Sequence, residues 1–164
     1  MAKKKKIAKT NAIREVEKQK MALELFEYPW SEDHLEARHV AESLGEDIHR
    51  IYKTIVATGA QTGPLVAVLP GDCELDLKKL AKASHNKKVE LLHLKDLEKT
   101  TGYLRGGCSP IGMKKQFPTF IAIEATEGDK VTVSAGRRGL QMKLAVSDLQ
   151  QLTQAQLADI TMKG

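Results

Sequence analysis

The sequence predicts an α/β domain built on one mixed, curved, barrel-like β-sheet with surrounding helices. Three observations lead there. Apolar runs of strand length and apolar stripes of helical spacing follow one another without the regular strand–helix alternation of a doubly wound sheet. The strand-like runs are rich in β-branched residues, as in IYKTIVAT at 51–58 and VTVSA at 131–135. A chain of 164 residues, 41% hydrophobic and 29% charged, suits one domain with a proper core.

The elements follow in order. Residues 10–20 form a helix that Thr10 or Asn11 caps, with Ala12, Ile13, Val16 and Met21 as its apolar stripe. Residues 23–28 make a short strand, ended by Pro29, Ser31 and Asp33. Residues 35–44 have helical spacing and stop at Gly45, a C-cap. Residues 51–58 and 64–69 flank a Gly59–Gly63 turn and read as a hairpin. Residues 75–83 form a basic amphipathic helix with Leu77, Leu80 and Ala81 inward, residues 89–92 a short strand, and residues 94–100 a short charged helix. Strands at 119–124 and 131–135 come next, and Gly136 to Gly139 turns the chain into a strand over 140–146. Ser147 and Asp148 cap a final helix that reaches Leu152.

Composition excludes several classes of function. The longest apolar run, 65–69, is far too short to span a bilayer, and the N-terminus lacks the apolar centre of a secretory signal. Cys73 and Cys108 form neither a CxxC pair nor a disulfide framework, which favours the cytoplasm. No histidine neighbours a cysteine in sequence, and His34 and His39 miss the i,i+4 spacing of a metal pair, so no metal is expected. Of the net charge of +5, Lys3, Lys4, Lys5 and Lys6 carry four, leaving 22 Lys and Arg against 21 Asp and Glu. Residues 1–9 therefore read as a basic disordered tail, a solvated run or a loose arm for a nucleic-acid backbone, and residues 10–164 as the domain. Aromatics, at 4%, are too few for a platform that stacks many bases.

Two stretches carry candidate chemistry. TGYLRGGCSPIG at 101–112 holds four of the chain's 12 glycines and one of its five prolines. That density suits neither helix nor central strand, so it reads as a loop that brings main-chain N–H groups close to a ligand. Lys53 sits inside a strand-like run, Tyr52 and Thr54 facing one side and Lys53 the other. It is either a solvated surface lysine or a cation reaching into a pocket. Ser134 is either a turn hydroxyl or a pocket donor. Cys108 has no base nearby in sequence and reads as a packed thiol. Ser109 precedes Pro110, which biases its backbone towards extended, and it lacks the GxSxG context of a hydrolase nucleophile.

Taken together, Tyr52-Lys53-Thr54, Thr101-Gly102-Tyr103, Gly106-Gly107-Cys108-Ser109-Pro110-Ile111-Gly112 and Ser134-Ala135-Gly136-Arg137-Arg138-Gly139 resemble the YbaK-type bacterial aminoacyl-tRNA deacylases. Their superfamily includes the editing domain inserted in bacterial prolyl-tRNA synthetase. The resemblance implies removal of cysteine from tRNA for proline, with no metal or organic cofactor. It further implies that the substrate's own thiol attacks its ester, so that the protein supplies orientation and no nucleophile. It implies a functional role for Lys53, with Thr54 beside it in the motif. It makes the N–H groups around Gly106 and Gly107 carbonyl-oxygen donors, gives Ser109, Pro110 and Gly112 the shaping of the loop, and sets Tyr28 and Ser134 as pocket residues. Cys108 departs from the family's usual aliphatic residue. The implied partners are aminoacyl-tRNA and prolyl-tRNA synthetase. A deacylase for another small amino acid such as alanine or serine, and a non-catalytic RNA-binding module, stand as the alternatives.

Overall fold

The computed structural model describes residues 7–162. The lysine run at 3–6 lies outside them. Ile7 packs against the core, and Lys9 pairs with Glu17 at 3.0 Å. Helix α1 (Asn11–Lys18) starts at Thr10, whose side chain accepts from the Ile13 N–H and donates to the Ala135 carbonyl. It buries Ala12, Ile13 and Val16, as the apolar stripe requires. Strand β1 (Glu24–Glu27) leads to α2 (Ala37–Leu44), which ends on Gly45 in the left-handed region at φ 66°.

A 3-10 turn (Ile48–Arg50) enters the hairpin of β2 (Tyr52–Gly59) and β3 (Gly63–Pro70), paired in register from Tyr52 opposite Pro70 to Gly59 opposite Gly63. Helix α3 (Leu77–Ala83), capped by Asp76, precedes β4 (Val89–Leu91). A 3-10 turn (Leu94–Asp96) runs into α4 (Leu97–Thr101), whose C-cap is Gly102 at φ 88°. After the glycine-rich loop come β5 (Thr119–Ala122), a 3-10 segment (Ile123–Glu127), β6 (Lys130–Arg137), β7 (Leu140–Ala145), α5 (Val146–Thr153) and β8 (Gln156–Ala158).

The α/β class holds. The barrel-like sheet does not, because the strands divide into two sheets and neither closes on itself. One has the order β1-β7-β6, all antiparallel; the other has the order β4-β2-β3-β5-β8. In the larger sheet β3 is antiparallel to β2 and parallel to β5, and β8 is parallel to β5. Strand β3 is the middle of the larger sheet, and residues 65–69 are wholly buried, which explains their unbroken apolar run. Helix α5 begins without a side-chain cap from Ser147 or Asp148. Strand β8 has three residues, two of them apolar, too short a segment for an alternating pattern to mark.

The sheets meet at one point that matters for the site. The backbone of Ile51 bridges that of Thr132 in the parallel sense. Beside it, the Arg50 guanidinium donates to the carbonyls of Glu124 (3.2 Å), Ala125 (3.1 Å) and Lys130 (2.6 Å). One side chain thus ties the entry of β2 to the segment that precedes β6. Lysine has no fork of donors with which to make these bonds together. Arg50→Lys is therefore expected to cost about 1–3 kcal/mol. This should appear as a lower urea midpoint with an unchanged m-value.

Candidate functional site

The gap left beside the Ile51–Thr132 bridge is a cleft of about 140 Å³. Leu35, Ala37 and Val40 form one wall, residues 51–54 the next, and Gly106 and Cys108 of the glycine-rich loop the third. Ser134 of β6 and Gln141 of β7 complete it. The cleft lies where the chain passes from the inter-sheet bridge into β2. Tyr52, Lys53 and Thr54 therefore all border it, although strand alternation predicts that Lys53 faces away from its neighbours.

Of the residues singled out in sequence, Lys53, Thr54, Gly106 and Ser134 are brought together around this cleft, with Cys108 among them. No carboxylate pairs with Lys53 among the described residues. The Ser134 hydroxyl serves both readings: its oxygen accepts from the Gly136 N–H at 3.2 Å, and its residue lines the cleft. Its own proton stays free to be donated.

Gly106 sits at φ 83°, and a Cβ there would come within 2.8 Å of the Leu35 side chain, so the loop closes tightly on that wall. Gly107 lies behind it. A Cβ there would lie 2.8 Å from the Arg138 nitrogen, which shows how closely the loop backbone packs on the β6–β7 turn. The Gly107 N–H donates to the Leu104 carbonyl at 2.9 Å and is committed to the loop's own turn. The N–H groups of Gly106 and Cys108 have no acceptor among the described residues.

The rest of the loop faces elsewhere. Ser109 is fully buried and its oxygen accepts from the Ile111 N–H at 3.3 Å. Pro110 and Gly112 border a separate cleft of about 180 Å³ beside Glu15 and Phe117. Gly112, at φ 78°, packs on the start of α1, and the Tyr103 hydroxyl donates to the Ile111 carbonyl at 2.7 Å. These residues anchor the loop.

Gln141 is the residue that the sequence did not mark. It is buried, and it stands in a strand among apolar neighbours with no motif around it. Its amide nitrogen donates to the Tyr28 hydroxyl at 3.4 Å, while its Oε1 is buried with no partner. Tyr28 packs with Val40, Ala41 and Ile51; it does not line the cleft but holds Gln141 in place. The Thr54 Oγ1 and the Tyr52 hydroxyl are likewise buried without partners, and both residues border the same small space. Buried polar atoms are nearly always paired; Glu124 Oε1 and Thr132 Oγ1, whose residues do not border the cleft, are unpaired as well, and the charged groups acting on the Tyr52 hydroxyl are Arg50, Glu124 and Glu127.

Burial pushes the Tyr52 and Tyr103 hydroxyls up and keeps both neutral. Burial also raises the Cys108 thiol to about 12, so it stays protonated near neutrality and is a poor nucleophile. Elsewhere the fold brings together residues far apart in sequence. His49, Asp72 and Cys73 place their ligating atoms within 4.8 Å of one another, the one such group among the described residues. There His49 Nδ1 lies 3.1 Å from Asp72 and Nε2 lies 3.3 Å from Glu127, and these carboxylates raise its pKa against the opposing effect of burial. The group is thus already an ion-pair network.

The fold brings a lysine and a glycine-rich main-chain loop onto one small cleft. Residues 32–152 match the family model described as the aminoacyl-tRNA editing domain, and the chain belongs to that family. A candidate Cys-tRNA(Pro)/Cys-tRNA(Cys) deacylase of Enterococcus faecalis, EbsC, is 63% identical over 163 residues, covering 99% of each chain. A proline–tRNA ligase of Elusimicrobium minutum is 34% identical over 79 residues, which span 48% of this chain and 14% of the ligase. The solved structure of a candidate trans-editing enzyme for prolyl-tRNA synthetase superposes with a TM-score of 0.81 at 22% identity, over 96% of this chain and 100% of the other.

The raised thiol has a consequence for stability. The folded pKa of Cys108 lies above the ordinary value of about 8.5. Below that value both states keep the proton; above it the unfolded chain releases the proton while the native state holds it. Stability is then lost as pH rises towards about 12. Urea midpoints at about pH 8 and about pH 10.5 should fall less in Cys108→Ala than in the parent.

Proposed function

We propose that the protein is a free-standing deacylase that removes cysteine from mischarged tRNA for proline. One observation carries this reading: Lys53 and the loop residues Gly106 and Cys108, whose N–H groups have no acceptor among the described residues, line one cleft small enough for a small aminoacyl group. The similarity to the Enterococcus deacylase supports the substrate.

In this reading Lys53 holds the terminal adenosine's phosphate or the aminoacyl ester as a charged donor. The N–H groups of Gly106 and Cys108 receive the ester oxygen as charge develops on it. The Gln141 acceptor, fixed through Tyr28, takes the substrate's ammonium group. The cysteine thiol of the substrate then attacks its own carbonyl carbon. The bond to the ribose oxygen breaks, the thiol proton passes to that oxygen, and a cyclic thioester leaves with free tRNA as the second product. No protein nucleophile is used, in line with the protonated Cys108 and with Ser109 buried away from the cleft. Orientation of this kind is worth about 7–11 kcal/mol when the reacting groups are well aligned.

A second sieve is needed because size alone separates small side chains by only about 1–3 kcal/mol. A domain this small has little surface with which to read a whole tRNA, so prolyl-tRNA synthetase supplies tRNA selectivity beside it. In this reading the protein works in the cytoplasm, where translation runs.

The test is a deacylation panel on tRNA for proline charged with cysteine, alanine or proline. Cysteine should be released and proline retained. Lys53→Ala should lose about 100-fold or more in kcat/KM, and Gln141→Leu about 10–100-fold, mostly through KM. Cysteine left on the tRNA, or full activity in Lys53→Ala, contradicts the function or the site respectively.

A further inference from the structure

Two grooves lead away from the cleft, and both share Leu35 with it. The first, of about 530 Å³, runs past Lys53 and Thr54 towards the turn after β3. It carries Arg38 and Lys53 against Glu36, Asp72 and Glu74. The second, of about 380 Å³, runs between α4 and the turn joining β6 to β7. It carries Lys95, Arg105 and Arg138 against Glu32 and Glu98, over an apolar floor that includes Leu94 and Leu104. The first groove is thus acidic by one charge and the second basic by one. His49 offsets Asp72 when protonated, but that leaves the first groove without net attraction for an anion. A polyanion leaving the cleft is favoured along the second.

The second groove also has a built stacking surface at its edge. Trp30 is 45% exposed, and the Arg138 guanidinium carbon lies 5.3 Å from its ring centroid. Gly139 lies against the ring: a Cβ there would come within 2.5 Å of the Trp30 Cδ1. The Arg138 Nε donates to the Arg105 carbonyl at 2.7 Å. Indole, guanidinium and glycine-rich loop therefore form one braced unit. Aromatic rings and arginines arranged along a basic groove are how proteins seat unpaired bases without reading their sequence.

We propose that the groove bounded by Trp30, Arg105 and Arg138 seats the unpaired 3′ end of the tRNA, with a base stacked on Trp30 and the backbone phosphates drawn to Arg105 and Lys95. The strand then leaves the cleft past Leu35 on the basic side and avoids the acidic groove. The proposal rests on reading the cleft as the aminoacyl site. The apolar floor alone would equally suit a protein partner, but the charge and the continuity with the cleft favour RNA.

Trp30 is the single tryptophan of the chain, so its fluorescence reports on the groove directly. The full chain is titrated with uncharged tRNA for proline, and with the same tRNA trimmed of its three 3′-terminal nucleotides. The intact tRNA should quench Trp30 in a saturable way and the trimmed tRNA should not. Arg105→Gln keeps the backbone carbonyl that Arg138 uses. It should weaken binding roughly tenfold and lower the slope of log K against log salt by about 0.7. Arg38→Gln, in the acidic groove, should shift binding less than twofold. Equal quenching by trimmed tRNA, unchanged binding in Arg105→Gln, or a larger effect from Arg38→Gln overturns the proposal. The readout needs no deacylation. Quenching with the expected pattern in a protein that fails to deacylate would leave the groove standing and remove the chemical reading of the cleft.

Discussion

The site depends on how two small sheets are joined. Neither sheet contains the cleft. It lies beside the point where the backbone of Ile51 meets that of Thr132, and Arg50 fastens that junction through three carbonyls. Lys53 and Thr54 come from the larger sheet, and Ser134 and Gln141 from the smaller. Their separation is set by that junction, to which the glycine-rich loop is clamped from the far side by the close packing of Gly107 on the β6–β7 turn. A shift of the sheets would move the lysine and the loop donors relative to one another, and positioning is what this chemistry requires.

The cleft is also held at a cost. The Tyr52 hydroxyl, Thr54 Oγ1 and Gln141 Oε1 are buried without partners, and each such atom costs about 1–3 kcal/mol in the free protein. A polar ligand that paired with Thr54 Oγ1 and Gln141 Oε1 would recover that free energy on binding. The most reactive side-chain type in the wall, the Cys108 thiol, is held protonated by burial. A cleft whose one thiol is held protonated is coherent with a nucleophile that arrives on the substrate.

Much of this was legible in sequence, for identifiable reasons. The Leu65–Val66–Ala67–Val68–Leu69 run reads as a buried strand because burial on both faces removes alternation. Gly45 marks the end of α2 because glycine adopts its positive φ without strain. The pairing of Lys53 with the glycine-rich loop was visible as two conspicuous local patterns. The division into two sheets was not, since alternating β-branched residues are compatible with either partner strand. Gln141 was hidden because a lone polar residue in a strand reads as solvent-facing until its neighbours are known. The encounter of His49 with Cys73 depends on two turns distant in sequence. The glycine and proline content of 101–112 announced a shaped loop but not which half faces the cleft; Ser109, Pro110 and Gly112 anchor the loop, while Gly106 and Cys108 form the wall.

In this reading the cleft orients a substrate that supplies its own nucleophile. The most direct measurement compares single-turnover deacylation of tRNA for proline charged with cysteine and charged with serine, in which a hydroxyl replaces the thiol at the same position. Cysteine should be released rapidly and serine lost no faster than the uncatalysed rate, because a neutral hydroxyl is a far weaker nucleophile than a thiol that ionises at about pH 8.5. Comparable rates for the two substrates would show that water is the attacking group and would contradict it.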